Sequence, residues 1–398
     1  MNSPLLSGLR RMTARDPEEE HRAATPLELL FDLCFVVAVS GAAHYLEHHI
    51  AQGDWRHGLI GFFQVFFAVW WGWLNFSWFA SAFDADDALY RITTMVQIAG
   101  ALIVAAGAFD ADRLGGPVIV AGYGVMRLAL VAQWLRVAVS EPAYRVTAIR
   151  YAVGIVAAQA LWFIMLEALG SPIFSWYFWI GAAFEILVPT WAEQTKPTPW
   201  HPHHISERYG LFTIIVLGEA VSGSATAIRE GMAEEHVLSN ALILSASAIV
   251  ILFAMWWLYF ERPAHNQLNN LRTSMTWGFG HYWIYASGAA VGAAIGVLSE
   301  HLAAREHILL NSLALTVPVA VYVLGVWLLQ FDRSTTTALT SACFPVTAAL
   351  VLASSFTPWP EVLTAVLLTS LVSLLNILCE PQTATADEGG SEDAALPC

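Results

Sequence analysis

Long apolar runs recur along nearly the whole chain and are separated by short polar segments. An apolar helix of about 20 residues is long enough to cross the hydrocarbon core of a bilayer. The pattern predicts twelve transmembrane helices, over residues 27–48, 58–80, 89–109, 117–139, 146–167, 172–192, 205–227, 237–260, 276–298, 307–330, 337–356 and 360–379. Only FTPWP (356–360) separates the last two, so a re-entrant unit with eleven spans remains an alternative. We expect an all-α polytopic membrane protein.

The composition and the charge distribution agree with this prediction. Charged residues make up 13% of the chain, against about 25% in soluble domains. If the N-terminus is cytoplasmic, thirteen of the 18 lysines and arginines lie near cytoplasmic helix ends, four lie on the other side, and Arg127 lies within a span. The positive-inside rule therefore predicts an inner (plasma) membrane protein with a cytoplasmic N-terminus and, with twelve spans, a cytoplasmic C-terminus.

Several functional classes lack support in the sequence. The formal net charge is −14 and no basic patch is present, so a nucleic-acid partner is not expected. The four cysteines form no CxxC pair, and no thiolate metal site is expected. Walker, GxSxG, HExxH and Rossmann motifs are absent, so we expect neither an enzyme nor a bound cofactor. The expected partners are the lipid bilayer and an unidentified small solute or ion; a homo-oligomer is left open.

Similar segments in the two halves of the chain favour an internal duplication. AVSGAA (38–43) in the first span matches AVSGSA (220–225) in the seventh, and FAVWW (67–71) in the second matches FAMWW (253–257) in the eighth. Convergence is the alternative, because membrane helices favour these residue types. A parallel six-plus-six repeat is a transporter architecture. With this duplication, the predicted organisation of the chain is a polar N-terminal segment 1–24, a first half 25–192, a His- and Pro-rich connector 193–204, a second half 205–379 and a disordered acidic tail 380–398.

The first span contains two acids, Glu28 and Asp32, which lie four residues apart and share one helix face. A charged side chain at the centre of a membrane helix costs about 2.5–3.5 kcal/mol. Such residues therefore usually face a partner, a cavity or an ion path. The alternative is an acidic helix N-terminus that the helix dipole favours.

The seventh span contains the second group of charges, in HPHHISERYGLFTIIVLGEA (201–220). Glu219 lies twelve residues beyond Glu207, or about 18 Å along a helix, so it needs protonation or a partner on another helix, such as Arg127. Structural pairing is the alternative to a functional role. With Glu28 and Asp32, the candidate residues of a solute or ion pathway are Arg91, Arg127, His204, Glu207, Arg208 and Glu219.

Histidines and glycines form two further patterns. HYLEHH (44–49) and HPHH (201–204) are interpreted as solvated helix ends, because neither group offers a clear third and fourth metal ligand. In the ninth span, Gly288, Gly292 and Gly296 recur every four residues and predict a helix-packing face.

The two charged segments, TPLELLFDLCFVVAV (25–39) and HHISERYGLFTIIVLGEAV (203–221), resemble the bacterial low temperature requirement protein A (LtrA) family. The family opens with an ELFFDLVFV-type motif and continues with H-x-x-E-R-x-G-L-F-x-I-I-x-L-G-E. The first motif is matched by Glu28, Leu29, Phe31, Asp32, Leu33, Phe35 and Val36, with Cys34 in place of the usual Val. The second is matched by His204, Glu207, Arg208, Gly210, Leu211, Phe212, Ile214, Ile215, Leu217, Gly218 and Glu219, and Asp86, Asp87 and Arg91 fit a DD…R pattern.

The resemblance implies a polytopic membrane protein whose family is named for growth in the cold, and it implies no established substrate or catalytic residue. From the buried charges we expect a proton- or ion-coupled transporter of a small solute. The alternative is a non-transporting membrane scaffold or stress factor needed at low temperature, and an ion channel comes third. A water-accessible cavity that joins the two motifs would favour transport, and a sealed, fully paired core would favour the scaffold.

Overall fold

The computed structural model describes residues 10–17, 19, 22–109, 111, 115–233, 238–262, 268, 270–300, 309–331 and 337–378. Within these ranges the chain is all-helical and has no strand, which confirms the predicted fold class. The helices are α1 Pro26–Ala51, α2 Trp55–Phe83, α3 Ala88–Ala108, α4 Gly116–Ser140, α5 Arg145–Leu169, α6 Phe178–Ala192, α7 Pro202–Ala233, α8 Leu238–Phe260, α9 Leu271–Glu300, α10 Leu309–Gln330, α11 Ala338–Ser354 and α12 Pro360–Leu378. A short 3-10 helix, Pro142–Tyr144, precedes α5.

Ten of these described helices are long and apolar enough to cross a membrane, and α6 and α11 are shorter. The helix α6 begins at Phe178, six residues later than predicted. Before it, the Gln64 side chain of α2 accepts a hydrogen bond from the Phe174 amide (2.5 Å) and donates one to the Ser175 carbonyl (3.1 Å). Phe174 has a φ of 68°, which interrupts the helix. The apolar pattern runs through this turn unchanged, and so the sequence alone predicts a longer span.

Local side chains set where several helices begin. Thr25 and Glu28 form a capping box at the start of α1, in which each side chain binds the backbone N–H of the other residue. The carboxylates of Asp54 and Asp87 cap α2 and α3 by accepting backbone N–H groups three residues ahead. These caps satisfy N–H groups that have no partner within the helix.

The chain forms two compact units, Met1–Val216 with Leu268–Thr273, and Leu217–Gln267 with Ser274–Cys398. In the first unit, α1 packs on α2 and α3, and α4 packs between α3 and α5. In the second, α12 packs on α8 and α11. The six-plus-six duplication stays a prediction. The predicted acidic tail, 380–398, lies outside the described residues.

The helices α3 and α4 approach closely through two glycines. A Cβ atom at Gly122 would lie 2.7 Å from both the Gly100 carbonyl oxygen and the Val104 nitrogen. Both neighbouring atoms belong to a helix backbone, so neither can move aside without shifting the helix. Small residues commonly permit such contact between membrane helices.

We therefore expect Gly122→Ala to destabilise the protein by about 1–3 kcal/mol, because the added methyl group overpacks this contact. Thermal unfolding in detergent checks this. Gly124→Ala is the matched control on the same helix, since nothing lies within 4 Å of the added Cβ there. Equal melting temperatures for the two variants would contradict the expectation.

In the second unit, α9 carries the glycine face that the sequence predicts. A Cβ atom at Gly292 would lie 2.5 Å from the Glu219 Cβ and 3.0 Å from the Ala220 nitrogen, so α9 contacts α7 there. Gly288 and Gly296 are buried on the same helix. Gly292 thus has the close contact that a packing role requires.

Candidate functional site

Helices α1 and α7 bring the two charged segments of the chain together. Glu28 and Asp32 lie on one face of α1, and His204 and Arg208 lie on one face of α7, with the same four-residue spacing in each pair. All four residues belong to the first unit. We call Glu28, Asp32, His204 and Arg208 the α1–α7 charge cluster.

The geometry of the α1–α7 charge cluster centres on Arg208, which holds both carboxylates. Its Nη2 donates to Asp32 Oδ1 at 2.6 Å, and its Nη1 lies 3.1 Å from Glu28 Oε1. His204 Nε2 lies 3.0 Å from the same Glu28 oxygen. The indole N–H of Trp73 on α2 donates to Asp32 Oδ1 at 2.7 Å. None of the four charged residues is more than 3% exposed, so the cluster is sealed from solvent.

The cluster is unbalanced in charge, because two carboxylates share one guanidinium group. One proton, bound by His204 or by either carboxylate, would restore neutrality. Three buried atoms, Asp32 Oδ2, His204 Nδ1 and Arg208 Nε, make no hydrogen bond to any described residue. Buried polar atoms without a partner cost about 1–3 kcal/mol each and are uncommon in native structures. Of these atoms, Asp32 Oδ2 and His204 Nδ1 can accept a proton, whereas Arg208 Nε already carries one and lacks an acceptor.

The segment before α1 covers the cluster through Arg22, which is 6% exposed. Its guanidinium donates to the Ser81 and Ala80 carbonyls at 3.0 and 2.8 Å, at the last turn of α2. One nitrogen lies 3.9 Å from Glu28 Oε1 and 4.0 Å from an Asp84 oxygen. Burial lowers the pKa of Arg22, and the nearby Glu28 carboxylate opposes that change. Burial, together with the Glu28 charge, raises the pKa of Asp84.

Sequence reasoning missed Arg22, Trp73 and Asp84 as members of this site. Arg22 resembled any basic residue near a cytoplasmic helix end, and Trp73 resembled an interfacial or packing tryptophan. A usable signal existed for Arg22, because it precedes the capping box at Thr25 by only three residues. The position of Trp73 depends on how α2 is rotated about its axis, for which the sequence carries no signal.

Two of the predicted pathway residues lie at the edge of the site or away from it. Glu207 is exposed and accepts a hydrogen bond from the Ala24 amide at 3.1 Å, which connects α7 to the segment before α1. Arg91 is exposed and pairs with Asp86, from Nε to Oδ1, at 2.8 Å. Within the described structure Arg91 forms no ion pair or hydrogen bond with the α1–α7 charge cluster, and its role in a pathway stays a prediction. Exposure keeps Arg91 hydrated, whereas the cluster excludes water.

Arg127 forms a second buried ion pair, with Glu185 of α6, at 2.8 Å. Arg127, which the sequence offers as one candidate partner for Glu219, thus has Glu185 as its buried ion-pair partner. The Glu185 carboxylate also accepts hydrogen bonds from four further donors on α2, α4 and α5, at 2.9–3.3 Å: Trp71, Tyr123, Gln159 and Trp162. We call Arg127, Glu185 and these four residues the Glu185 cage. Glu219 is half-buried, and its coupling role stays a prediction.

The histidine groups lie at helix ends, but the interpretation as solvated residues is wrong for His201 and His204, which are buried at 3% and 0% exposure. His48 Nε2 and the Gln52 amide form a hydrogen bond of 2.9 Å, and the His201 ring lies 2.7 Å from the Glu19 carbonyl oxygen. Among the described residues, no three His, Cys, Asp or Glu side chains are grouped to hold a metal ion.

Twelve helices with a sealed charge cluster define this chain as a polytopic α-helical membrane protein. The chain belongs to the bacterial low temperature requirement A protein (LtrA) family, whose model matches residues 23–378 and so includes the whole α1–α7 charge cluster. It is also similar to an uncharacterised protein of Rhizobium meliloti (strain 1021), with 24% identity over 264 residues. That similarity covers 62% of this chain and 60% of the relative. No solved structure matches the chain.

Proposed function

We propose that this LtrA-family protein is a proton- or ion-coupled transporter of a small solute rather than an enzyme, and that the α1–α7 charge cluster is its coupling site. The observation that carries the proposal is the joining of the two family motifs in one buried cluster with more carboxylates than guanidinium groups. Intramembrane ionisable residues commonly mark proton relays and substrate paths.

The chemistry of coupling follows from the way Arg208 is shared. When Asp32 binds a proton, its attraction to Arg208 falls and the guanidinium group can turn wholly to Glu28. In a medium of low dielectric constant, this change of one charge alters the energy of the α1–α7 contact far more than it would in water. Proton binding thereby shifts the balance between two arrangements of α1 and α7, which is the requirement for coupled transport.

A specific observation favours a second candidate, the non-transporting membrane scaffold. The cluster residues are at most 3% exposed, and an ion-pair network that stays buried would hold α1 and α7 together permanently. In that case a protonation change would loosen the fold without moving any solute. No feature of the cluster favours the third candidate, an ion channel, because a channel needs a hydrated path.

Asp32→Asn distinguishes transport from scaffolding. Asparagine mimics the protonated acid and retains an oxygen for the Trp73 and Arg208 donors, so we expect the variant to fold and to lose proton-coupled flux. Proteoliposomes loaded with a pH-sensitive dye would receive pools of amino acids, organic acids, sugars and inorganic cations. We expect at least one pool to move protons with the unmodified protein and none to do so with Asp32→Asn.

The matched control is Asp86→Asn, which removes the carboxylate that pairs with the exposed Arg91 and should leave flux unchanged. A wild-type protein that moves no protons with any pool would contradict the transport proposal. Flux through Asp32→Asn at the wild-type level would remove the cluster from the mechanism. Loss of the folded protein in this variant, together with an inactive wild type, would favour the scaffold.

A further inference from the structure

Three basic residues lie together where α4 ends, α5 begins and α6 ends, outside the site described above. Arg145 Nε donates to the Ala138 carbonyl at 3.0 Å, at the last turn of α4. Arg150 Nη1 donates to the Trp191 carbonyl at 3.1 Å, at the last turn of α6. Toward the described residues each arginine donates a hydrogen bond through one nitrogen, and the Arg150 guanidinium also lies 5.3 Å from the centre of the Trp191 ring.

Lys196 completes this group from the loop between α6 and α7. Its Nζ lies 3.9 Å from the centre of the Tyr144 ring, and its carbonyl accepts a hydrogen bond from the Thr147 hydroxyl at 2.9 Å. The Thr147 bond ties the loop to the first turn of α5, between Arg145 and Arg150. We call Arg145, Arg150 and Lys196 the α5 basic surface.

The α5 basic surface carries an excess of positive charge. None of its three residues forms an ion pair with a described carboxylate. The loop acid Glu193 is only 4% exposed. Its oxygens accept hydrogen bonds from the Tyr151 hydroxyl at 2.7 Å, the Thr198 amide at 2.7 Å and the Thr198 hydroxyl at 2.9 Å, and burial raises its pKa. The other acid on these segments, Glu141, is half-buried and pairs with none of the three.

Apolar side chains beside the α5 basic surface are exposed. The exposed fractions are 79% for Val139, 51% for Val146 and 42% for Trp191. Cations and aromatic rings at the ends of membrane-spanning helices lie at the level of the lipid headgroups. A ligand that fits here combines an anionic oxygen group with a hydrocarbon chain, and a free phosphate ion would leave the apolar part uncovered.

We propose that the α5 basic surface binds the headgroup phosphate of an anionic phospholipid, with its acyl chains against Val139, Val146 and Trp191. Guanidinium groups suit phosphate because they present several N–H donors in one plane. Basic pockets between membrane helices commonly bind anionic headgroups. This site is independent of the transport proposal, because it shares no residue with the α1–α7 charge cluster.

The sequence offers a direct probe, because Lys196 is the only lysine in the chain. The full-length protein would be placed in nanodiscs of phosphatidylcholine alone or mixed with phosphatidylglycerol, neither of which carries a primary amine. An amine-acetylating reagent then modifies only Lys196 and the N-terminal amine, which peptide mass mapping separates. We expect phosphatidylglycerol to slow labelling of Lys196 about fivefold relative to the N-terminal amine, a factor consistent with the electrostatic attraction of one basic residue to an anionic membrane.

Variants test whether the anionic lipid binds these residues specifically or is attracted by the overall positive charge of the protein surface. In Arg145→Gln/Arg150→Gln, the lipid-dependent protection of Lys196 should disappear, and Arg145→Gln alone should weaken it if the double variant does not fold. Arg56→Gln/Arg229→Gln removes the same charge from exposed residues elsewhere and should keep the protection. Equal labelling of Lys196 in the two lipids would overturn the proposal, as would undiminished protection in the Arg145 and Arg150 variants. Equal protection by inorganic phosphate in phosphatidylcholine discs would also overturn it.

Discussion

Replacing Arg208 with glutamine is expected to lower the free energy of unfolding by about 3–5 kcal/mol, the usual cost of removing one partner from a buried ion pair. Arg208 contacts Glu28 at 3.1 Å and Asp32 at 2.6 Å, and the substitution leaves both carboxylates buried without their cation. Of the two carboxylates, the remaining basic neighbours His204 and Arg22 contact Glu28 and not Asp32. The amount of folded protein in the membrane and its melting temperature in detergent measure the loss.

Two comparisons make this expectation specific. Arg229→Gln on the same helix removes an exposed positive charge and should leave the melting temperature almost unchanged. Asp32→Asn combined with Arg208→Gln should regain part of the loss, because one uncompensated carboxylate is then absent. A double variant no more stable than Arg208→Gln would show that Asp32 and Arg208 do not depend on each other.

Glu185→Leu is expected to have an effect of similar size, about 3–5 kcal/mol, because it leaves the Arg127 guanidinium buried without its counter-charge. It also removes the acceptor for Trp71, Tyr123, Gln159 and Trp162, which come from three helices. Thermal unfolding again gives the measurement. Glu141→Leu, at a half-buried acid for which the structure records no ion pair, is the matched control.

A compensating double variant tests whether the Glu185 cage contributes only to the stability of the fold. Arg127→Met with Glu185→Leu replaces the ion pair with apolar side chains of similar volume, and such replacements are often neutral or stabilising. We expect the double variant to recover most of the stability. A double variant that folds well but shows no solute-dependent proton flux, where the wild type shows it, would assign the cage to the mechanism instead.

The two buried charge groups differ in a way that explains their different expected roles. The Glu185 cage pairs one carboxylate with one guanidinium and supplies four further donors to the carboxylate, so its charges are balanced, although Arg127 Nε and Nη1 have no hydrogen-bond partner among the described residues. The α1–α7 charge cluster has two carboxylates for one guanidinium and leaves Asp32 Oδ2 without a donor among the described residues. An added proton would therefore bring the α1–α7 charge cluster to neutrality, whereas the Glu185 cage is already balanced in charge.

The number and approximate positions of the helices follow from the sequence alone. Twelve apolar runs predict twelve helices at closely similar positions, because a backbone in lipid must satisfy its hydrogen bonds within each helix. The four-residue spacing of Glu28 and Asp32 also predicts that both carboxylates share a face, which follows from helix geometry alone. These features depend on residues close together in the chain.

Which charged side chains contact each other depends on the tertiary structure. Asp32 and Arg208 are 176 residues apart, and their contact depends on how α1 and α7 are rotated about their axes. For the same reason the sequence interpretation named Arg127 as a candidate partner for Glu219, whereas Arg127 pairs with Glu185. It also grouped Arg91 with the pathway residues, whereas Arg91 is exposed and pairs with Asp86. Helix rotation is set by the packing of many side chains at once, including close contacts such as that of Gly100 with Gly122. No local pattern in the sequence encodes that choice.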